Sequence, residues 1–394
     1  MLYDLFSDPD KIEAIFLKVL TANEIGEGLS KRGVVIPVGA YRFFPEFPGF
    51  NANPDRNYSL ALVGKGVIGD RSVQEAFSYK HYQRYPERRL TRLSPFAQDS
   101  AEGSVLILGR RADGLHEIVH IHPGDPRYRV LLKSVGLSEA QPGTYFLDLA
   151  WQPDIPIERS SYEEELLKRF IQIRDRGFVP AISNAPSAVG STFESLLEIA
   201  PNNYPGPDYG DIEIKCHEMD VARDEAMDLF LKEPDWMDGL SQKVRIRRYG
   251  YWDAENGRHA LYSSVKREPN SLDLEIHNDR NNQRLLLERS GIAIGEWEHV
   301  TLEERLKEKL THAVMVGARV NRRDDQKEFH YLTLTLLSAP SVGGFLEQVE
   351  LSQAWLEIRM HFKDGSSVRN HGSQFRVKQG KLDRIFSRVL AYQS

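Results

Sequence analysis

One short segment, residues 206–215, constrains this chain more than any other stretch. It reads Gly-Pro-Asp-Tyr-Gly-Asp-Ile-Glu-Ile-Lys, and its glycines and proline predict a turn that leads into a short strand. Side chains alternate along a strand, so Ile212 and Ile214 are expected to enter a core, while Glu213 and Lys215 face the opposite way. The segment therefore predicts a rigid strand with one apolar face and one charged, surface-exposed face.

The charged groups of this segment form a candidate catalytic cluster. Asp208 stands at the entrance of the predicted strand, and Glu213 and Lys215 follow on its charged face. Two carboxylates and an ammonium on one small surface can hold a hard divalent cation and orient a water molecule. Because Asp, Glu and Lys are common residues, a solvated edge strand is the alternative interpretation of the same pattern.

Composition excludes several classes of protein. The 394 residues suffice for two domains, and no apolar run is long enough for a membrane-spanning helix. The N-terminus lacks the pattern of a signal peptide. Cys216 is the only cysteine, so no intrachain disulfide can form, and we expect a reducing, cytoplasmic location. With a formal net charge of -6, any DNA-binding surface must be a local basic patch.

The first half of the chain is predicted to be mainly β. Residues 9–20 carry apolar side chains at helical spacing and are predicted to form a helix. Short alternating runs separated by turn residues are predicted as strands at 33–37, 58–63, 103–109 and 116–121. Many short strands with turn breaks favour a barrel or a sandwich.

Two patterns in this half resemble ligand-binding motifs, but a structural interpretation is favoured for each. Residues 64–69 fit a glycine-rich nucleotide-binding pattern, but the βαβ unit that such a site requires is not predicted around them, so a plain loop is favoured. His116, His120 and His122 have no carboxylate cluster beside them, so satisfied or exposed histidines are favoured over a metal site.

A basic segment, residues 79–92, is the candidate DNA-binding element of this half. Three tyrosines and His81 are interleaved with the basic residues Lys80, Arg84, Arg88, Arg89 and Arg92, against a single acid, Glu87. Basic side chains can pair with phosphates, and arginine can also read guanine edges. A solvated loop is the alternative that the composition leaves open.

Short motifs of this half resemble, in the same order, the N-terminal effector domain of the EcoRII type of restriction enzyme. They are Leu-Thr-Ala-Asn-Glu at 20–24, Ser-Lys-Arg-Gly at 30–33, Val-Val-Ile-Pro at 34–37 and Glu-Arg-Arg-Leu-Thr-Arg at 87–92. The resemblance covers about residues 12–140. It implies the seven-stranded pseudobarrel of plant B-three transcription factors, which grips DNA between two arms, here about 21–33 and 79–93. It implies DNA contacts from Lys31, Arg32, Lys80, His81, Arg84, Arg88, Arg89 and Arg92.

A domain boundary is predicted near residues 150–160, within a stretch that contains several prolines. We therefore expect one domain at 1–150 and a second at 151–394. In the second, capping and periodicity predict helices at 160–174, 190–199 and 302–314. Residues 243–248 alternate, which predicts a strand with Val244 and Ile246 inward and Arg245 and Arg247 outward.

Motifs across about residues 180–380 resemble the MvaI/BcnI restriction endonuclease family, whose catalytic fold is the α/β PD-(D/E)xK nuclease fold. The motifs are Gly190-x-Thr-x-Glu-x-Leu-Leu, Asn203, Pro207-Asp with Glu213-x-Lys, Leu-Phe-Leu-Lys-Glu-Pro-Asp-Trp at 229–236, and Asn-His-Gly-Ser-Gln-Phe-Arg at 370–376. Asn370 and Ser373 replace an acid and a threonine of the family pattern, and neither change removes a catalytic group.

The resemblance implies a role for each matching residue. Mg²⁺ is expected on Asp208, Glu213 and the Ile214 carbonyl, with Lys215 as the catalytic lysine and Glu194 binding a second or hydrated ion. His371 and Arg376 lie on the last motif of the family, whereas Arg319 and Arg322 lie on a candidate hairpin predicted from the residues alone. We expect DNA contacts from these four, and ordinary exposed charge is the alternative.

The two resemblances together predict a type II, type IIE-like restriction endonuclease. We expect a monomer that binds two copies of double-stranded DNA, cuts a short CC-containing site (CCWGG as the preferred candidate) and has a partner DNA methyltransferase. The alternatives are a mismatch-repair-type or other DNA-processing nuclease and a non-cleaving DNA-binding regulator.

Overall fold

A computed structural model describes residues 2, 5–45, 58–68, 71–82, 87–137, 139–152, 157, 159–200, 206–219, 226–323 and 326–392. The chain divides into two compact units, which are described separately. The first comprises Met1–Glu198, Val314–Leu337 and Ser387–Ser394, and the second comprises Ile199–Ala313 and Ser338–Phe386. The boundary at 150–160 stays a prediction. No helix among the described residues is long and apolar enough to cross a membrane.

The elements follow in chain order. The strands are β1 Ile12–Val19, β2 Val34–Ile36, β3 Tyr58–Ile68, β4 Arg71–Tyr82, β5 Glu87–Thr91, β6 Val105–Arg111, β7 His116–Ile121, β8 Tyr145–Asp148, β9 Val179–Pro180, β10 Ile212–Glu218, β11 Ala226–Leu231, β12 Asp235–Trp236, β13 Tyr251–Asp253, β14 Arg258–Val265, β15 Leu274–Asp279, β16 Arg284–Arg289, β17 Ile292–Glu298, β18 His312–Arg323, β19 Gln326–Pro340, β20 Ala354–Phe362, β21 Arg369–Lys378 and β22 Phe386–Tyr392. The helices are α1 Gly26–Lys31, α2 Ser94–Ala97, α3 Tyr128–Ser134, α4 Glu163–Asp175, α5 Ala188–Leu196, α6 Gln242–Tyr249, α7 His299–Leu310 and α8 Val342–Glu350.

One long sheet organises the first unit. Its strands are hydrogen-bonded in the order β18-β19-β22-β8-β1-β6-β7-β3-β4-β5-β2, with β9 beside β19. β3 and β7 run parallel, whereas β1 is antiparallel to both of its neighbours, β6 and β8. The strands expected at 33–37, 58–63, 103–109 and 116–121 are confirmed as β2, β3, β6 and β7.

The helix predicted at residues 9–20 is wrong, because β1 occupies most of that segment. All but one of its residues are buried, since strands pair on both edges and its sequence, Ile-Glu-Ala-Ile-Phe-Leu-Lys-Val, offers apolar groups to both faces. A strand buried on both faces loses its period-2 alternation, so the periodicity alone could not distinguish it from a helix.

The loop predicted at residues 64–69 is also wrong over its described part. Gly64–Ile68 belongs to β3, where it pairs antiparallel with β4 and parallel with β7. In the neighbouring β7, His116 and His120 are buried, and burial lowers the pKa of His120 to about 4. Among the described residues no group of three or more His, Cys, Asp and Glu side chains has a metal-binding arrangement.

The buried ion pair of Lys18 and Glu24 connects the start of the predicted first arm to the sheet. Glu24 accepts hydrogen bonds from Lys18 Nζ at 2.6 Å and from the Val35 backbone nitrogen at 2.8 Å, so it joins β1 to β2. Its other carboxylate oxygen accepts from the backbone nitrogen and hydroxyl of Thr21, both at 3.2 Å. Lys18 and Glu24 are both nearly fully buried, and the geometry of residues 21–24 therefore depends on this pair.

Two antiparallel sheets lie in the second unit. One sheet has the order β11-β21-β20-β14-β13 and the other has the order β12-β17-β16-β15. The aromatic rings of Phe230, Phe345 and Phe375 meet at centroid distances of 5.1 to 5.6 Å in the core of this unit. The helix expected at 302–314 is confirmed as α7 of this unit, which ends at Leu310, and those expected at 160–174 and 190–199 are confirmed as α4 and α5 of the first unit.

The strand predicted at residues 243–248 is wrong, because α6 occupies that segment. Ile246 is fully buried while Val244 is exposed, which is a helical rather than an alternating pattern. Arg245 faces inward: it bonds both oxygens of Asp238, at 2.9 and 2.7 Å, and its guanidinium lies 3.9 Å from the centre of the Trp236 ring. This bidentate pair makes the inward arginine tolerable.

Replacing Glu24 by glutamine should destabilise the first unit. The substitution leaves the Lys18 ammonium buried without its counter-charge, and breaking one partner of a buried pair costs about 3 kcal/mol. We expect the midpoint of urea unfolding to fall accordingly. Glu27→Gln is the matched control, because Glu27 pairs with Lys31 in an exposed position and should have almost no effect. Equal stability of the two variants would contradict the structural role assigned to Glu24.

Candidate active site

A tight turn places Asp208 against the start of β10. Tyr209 and Ile212 exchange two backbone hydrogen bonds, at 3.0 and 2.9 Å, and Gly210 has a φ of 62°, the left-handed conformation that favours glycine. Asp208 Oδ2 accepts a hydrogen bond of 2.9 Å from the backbone nitrogen of Ile214. The turn therefore fixes the first carboxylate beside the strand that carries the second.

β10 buries more of the cluster than its alternation predicts. Ile212 and Ile214 enter the core as expected, at 0% and 5% exposure. Glu213 is also buried, at 3%, so the prediction of a surface-exposed charged face is wrong for this residue, whereas Lys215 is half-buried. Glu213 is buried because α7 packs against β10 within the second unit.

Two ammonium groups neutralise the buried Glu213 carboxylate. Lys215 Nζ lies 2.6 Å from Oε1, and Lys309 Nζ, from the last turn of α7, lies 2.8 Å from Oε2. Lys309 also donates a hydrogen bond of 3.1 Å to the carbonyl of Gly206, at the start of the turn. Sequence reasoning missed Lys309, since its pattern on α7 is that of an ordinary solvated helix face.

The electrostatics of Asp208 favour a cation. Burial raises the pKa of the Asp208 carboxyl above its ordinary value of 3.8, and the negative charge of Glu213 raises it further. The hydrogen bond from the Ile214 backbone and the charges of Lys215 and Lys309 act in the opposite direction without cancelling the rise. Ionised Asp208 is therefore held at an energetic disadvantage in the absence of further positive charge.

The donor set fits a magnesium ion. Asp208, Glu213 and the backbone carbonyl of Ile214 are all oxygen donors, and Mg²⁺ prefers one or two carboxylates while keeping several waters. A divalent ion would relieve the repulsion that raises the pKa of Asp208. The fourth predicted catalytic residue, Glu194, is half-buried on α5 in the first unit, and its metal-binding role stays a prediction.

The predicted DNA contacts of the second unit lie on β21. His371 is exposed, and its ring stacks on that of His361 at a centroid distance of 5.8 Å. His361 in turn shares a hydrogen bond of 2.7 Å with the Tyr262 hydroxyl, and burial together with the charges of nearby basic residues lowers its pKa. Arg376 is partly held by an ion pair of 2.7 Å with Asp228. Sequence reasoning missed Tyr262 and His361, which come next to His371 only through strand pairing.

The remaining predicted contacts of the catalytic half lie on β18. Arg319 and Arg322 are both exposed on this strand, in the first unit. Their exposure is compatible with either DNA contact or solvation, so their role stays a prediction.

A polar cleft of about 470 Å³ in the first unit brings together three of the predicted DNA contacts. Lys31 comes from α1, Lys80 from β4 and Arg92 from the residue after β5, and the cleft is also lined by Ser30, Tyr82, Thr91 and Ser94. Arg92 has a φ of 65°, a conformation that L-residues rarely adopt. Both predicted arms therefore contribute basic groups to one concave surface. Arg32 is exposed on the first arm.

Other residues of the basic segment are placed differently. Arg88 is 3% exposed, and its guanidinium lies 4.3 Å from the centre of the Tyr41 ring. His81 is buried, and Arg89 forms an ion pair of 2.7 Å with Glu87. Arg84 lies outside the described residues. DNA contact by these residues stays a prediction, and the buried positions of Arg88 and His81 point to packing.

Comparison with known proteins identifies the family. Residues 167–386, more than half of the chain, match the MvaI/BcnI restriction endonuclease family. The chain belongs to this family. The resemblance at residues 180–380 is thereby confirmed, and the chain is by family a site-specific DNA nuclease.

Solved structures of related enzymes align with parts of the chain. Restriction endonuclease MvaI in complex with its cognate DNA substrate is 24% identical, covering 59% of this chain and 99% of that one, with a TM-score of 0.49. MvaI without DNA is 25% identical over the same shares, with a TM-score of 0.42. The UbaLAI B3 domain with cognate DNA is 27% identical, covering 35% of this chain and 87% of that one, with a TM-score of 0.28. No curated protein sequence matches this chain.

Replacing Asp208 by asparagine should raise the stability of the metal-free protein. Asparagine keeps an oxygen for the Ile214 hydrogen bond and removes a carboxylate whose ionisation is unfavourable in the fold. At pH 7 we expect a rise in Tm of about 2–4 °C, which corresponds to about 1 kcal/mol for a unit of this size. Asp211→Asn, at an exposed position, is the control.

The gain should depend on pH in a defined direction. Below pH 3.8 Asp208 is protonated in both the folded and unfolded states, so wild type and variant should be equally stable. As the pH rises from 3.8 to the raised pKa, the unfolded chain ionises Asp208 more readily than the folded chain, so wild type loses stability relative to the variant. Above the raised pKa the difference stays constant. A pH-independent difference in Tm would contradict this explanation.

Proposed function

We propose that the chain is a Mg²⁺-dependent type II restriction endonuclease that hydrolyses phosphodiesters of double-stranded DNA at a short CC-containing site. The observation that supports this most directly is the geometry of Asp208, Glu213 and Lys215, which a single turn and strand hold around one buried carboxylate. CCWGG is the proposed site, because both families that the chain resembles include enzymes that cut it.

The roles of the residues follow from their positions. Asp208, Glu213 and the Ile214 carbonyl would hold Mg²⁺, which neutralises phosphate charge and lowers the pKa of a bound water. Lys215 is held by the Glu213 carboxylate at 2.6 Å, so its ammonium is oriented before substrate arrives. There it would position the attacking water and stabilise the charge that develops in the transition state. Glu194 would assist a second or hydrated ion.

The polar cleft of the first unit supports a second DNA site. Basic groups from both arms, Lys31, Lys80 and Arg92, line this one cleft. We propose that this unit has the B-three-like DNA-binding role and that the enzyme acts in the type IIE manner. Two sites on one monomeric chain would favour DNA with two target copies through effective concentration. A cognate DNA methyltransferase is expected alongside it.

Removing the catalytic lysine should separate cleavage from binding. Lys215→Ala should reduce the rate of Mg²⁺-dependent plasmid cleavage by about 10³-fold or more, because the ammonium acts on the transition state. Affinity for the same DNA, measured in Ca²⁺, should change little. Lys307→Ala, on the exposed face of α7, is the control. Undiminished cleavage by Lys215→Ala would overturn the assignment of the catalytic centre.

Neutralising the cleft should weaken DNA binding through phosphate contacts. For a variant with Lys31→Ala, Lys80→Ala and Arg92→Ala, the slope of log K against log[salt] should shrink by about 0.9 per lost contact. The advantage of two-site over one-site DNA should also fall. Lys133→Ala, exposed on α3 and outside the cleft, is the control. An unchanged salt slope would refute the second DNA site without touching the catalytic assignment.

A digest of plasmid DNA in Mg²⁺, with the fragment ends sequenced, decides among the functions. A restriction enzyme yields discrete fragments with one sequence at every end. Heterogeneous ends would indicate a DNA-processing nuclease, and absence of cleavage would indicate a DNA-binding regulator.

A further inference from the structure

Glu213 has a second ammonium partner that the catalytic chemistry does not use. Lys309 Nζ lies 2.8 Å from Glu213 Oε2 and donates to the Gly206 carbonyl at 3.1 Å. The side chains of Glu213 and Lys309 are 4% and 19% exposed, so this contact is shielded from solvent. Lys309 thus connects α7 both to the buried carboxylate and to the turn that carries Asp208.

The neighbouring Lys307 lies in a much more exposed environment than Lys309. Lys307 lies in the same last turn of α7, and it pairs with Glu303 one helical turn earlier. Its side chain is 59% exposed, which makes that pair a weak, solvated one. Only one of these two lysines is therefore directed at the catalytic carboxylate, and the other provides a matched control.

The charges of the site balance only while the metal is absent. Two carboxylates, Asp208 and Glu213, face two ammonium groups, Lys215 and Lys309. A divalent cation on the carboxylates would bring the total to two positive charges in a shielded site, where like charges repel more strongly than in water. Both oxygens of Glu213 are already within ion-pair distance of a lysine, so a metal must compete for at least one of them.

Of the two lysines, Lys309 is the one that can release the Glu213 carboxylate. Lys215 lies on the same strand as Glu213, two residues away, and the proposed chemistry requires it there. Lys309 comes from a separate helix on a flexible four-carbon stem, and its compact charge can move off without disturbing β10. In the metal-free protein the same lysine offsets the burial of Glu213, which would otherwise be costly.

We propose that Lys309 is a resident counter-ion that holds Glu213 before the metal binds and gives the carboxylate up to the incoming divalent ion. It is a positioning residue, and it sets the metal concentration at which the site is filled. This inference rests on the proposed Mg²⁺-dependent function.

The test measures metal binding apart from catalysis. Tm is measured without metal and over a titration of CaCl₂ and of MgCl₂, without DNA, for wild type, Lys309→Met, Lys309→Arg and Lys307→Met. Lys309→Met should lower the metal-free Tm and shift the metal midpoint to about tenfold lower concentration, equivalent to about 1.4 kcal/mol. Lys309→Arg keeps the charge and should have a midpoint at or above that of wild type, and Lys307→Met should match wild type.

Cleavage kinetics provide the second readout. In Lys309→Met the Mg²⁺ concentration for half-maximal cleavage should fall, while kcat at saturating Mg²⁺ stays within a few-fold of wild type. A midpoint that is unchanged or higher in Lys309→Met overturns the inference, as does a shift in the same direction for Met and Arg. Loss of kcat with an unchanged midpoint would make Lys309 catalytic and also overturns it.

The two proposals fail in distinguishable ways. If wild type cleaves DNA in Mg²⁺ but the variants do not shift the metal midpoint, the counter-ion role alone is wrong. If wild type neither cleaves DNA nor changes its Tm with either metal, the proposed function is wrong and the counter-ion role falls with it. If Lys309→Met does not fold, the metal titration of Lys309→Arg tests the inference instead. A metal midpoint below that of wild type in Lys309→Arg would contradict competition between the lysine and the metal for Glu213.

Discussion

The burial of Glu213 is the constraint on which the candidate catalytic region depends. A carboxylate at 3% exposure requires positive partners, and the fold supplies them from opposite sides: Lys215 from the same strand and Lys309 from α7. The helix must therefore pack on β10 for the strand to keep its charged residue buried. Burial of Asp208 itself and, next, the negative charge of the neighbouring Glu213 raise the pKa of the Asp208 carboxyl. The unfavourable ionisation of Asp208 and the proposed affinity for a cation thus have one origin.

Sequence reasoning placed the three charged residues together but did not predict their environment. Asp208, Glu213 and Lys215 are close along the chain, so spacing and a turn suffice to bring them together. Lys309 reaches the same carboxylate from α7, and its pattern there is that of a solvated helix face, which gives no signal of a partner in β10. Sequence reasoning missed His361 and Tyr262 because only the pairing of β14, β20 and β21 brings these residues toward His371. Local chemistry is readable from sequence, whereas contacts that depend on tertiary pairing are not.

The errors in secondary structure also have physical causes. β1 is buried on both faces, so its apolar residues fill positions that a half-buried strand would leave polar, and the result imitates a helix. In α6 a helix was mistaken for a strand. Arg245 occupies a buried position because its guanidinium binds Asp238 and lies over the Trp236 ring, so the alternation of Val244, Arg245 and Ile246 resembles that of a strand. In both segments partners outside the segment decided the conformation, which local periodicity cannot represent.

The pairing of the last strand has a consequence for how the N-terminal region can be tested. β22 pairs with β8, and Arg388 binds Asp148, a carboxylate only 1% exposed, at 3.0 and 2.9 Å. Cutting the chain at the predicted boundary near 150–160 would remove β8, so β22 would keep β19 on one edge, expose its other edge and leave Arg388 without its counter-charge. An unpaired edge strand invites aggregation. Loss of activity in a truncated chain would therefore not distinguish a missing DNA site from a damaged sheet. Substitutions confined to the cleft of Lys31, Lys80 and Arg92 leave β8 and β22 paired, so they isolate the proposed contribution of this cleft to DNA binding.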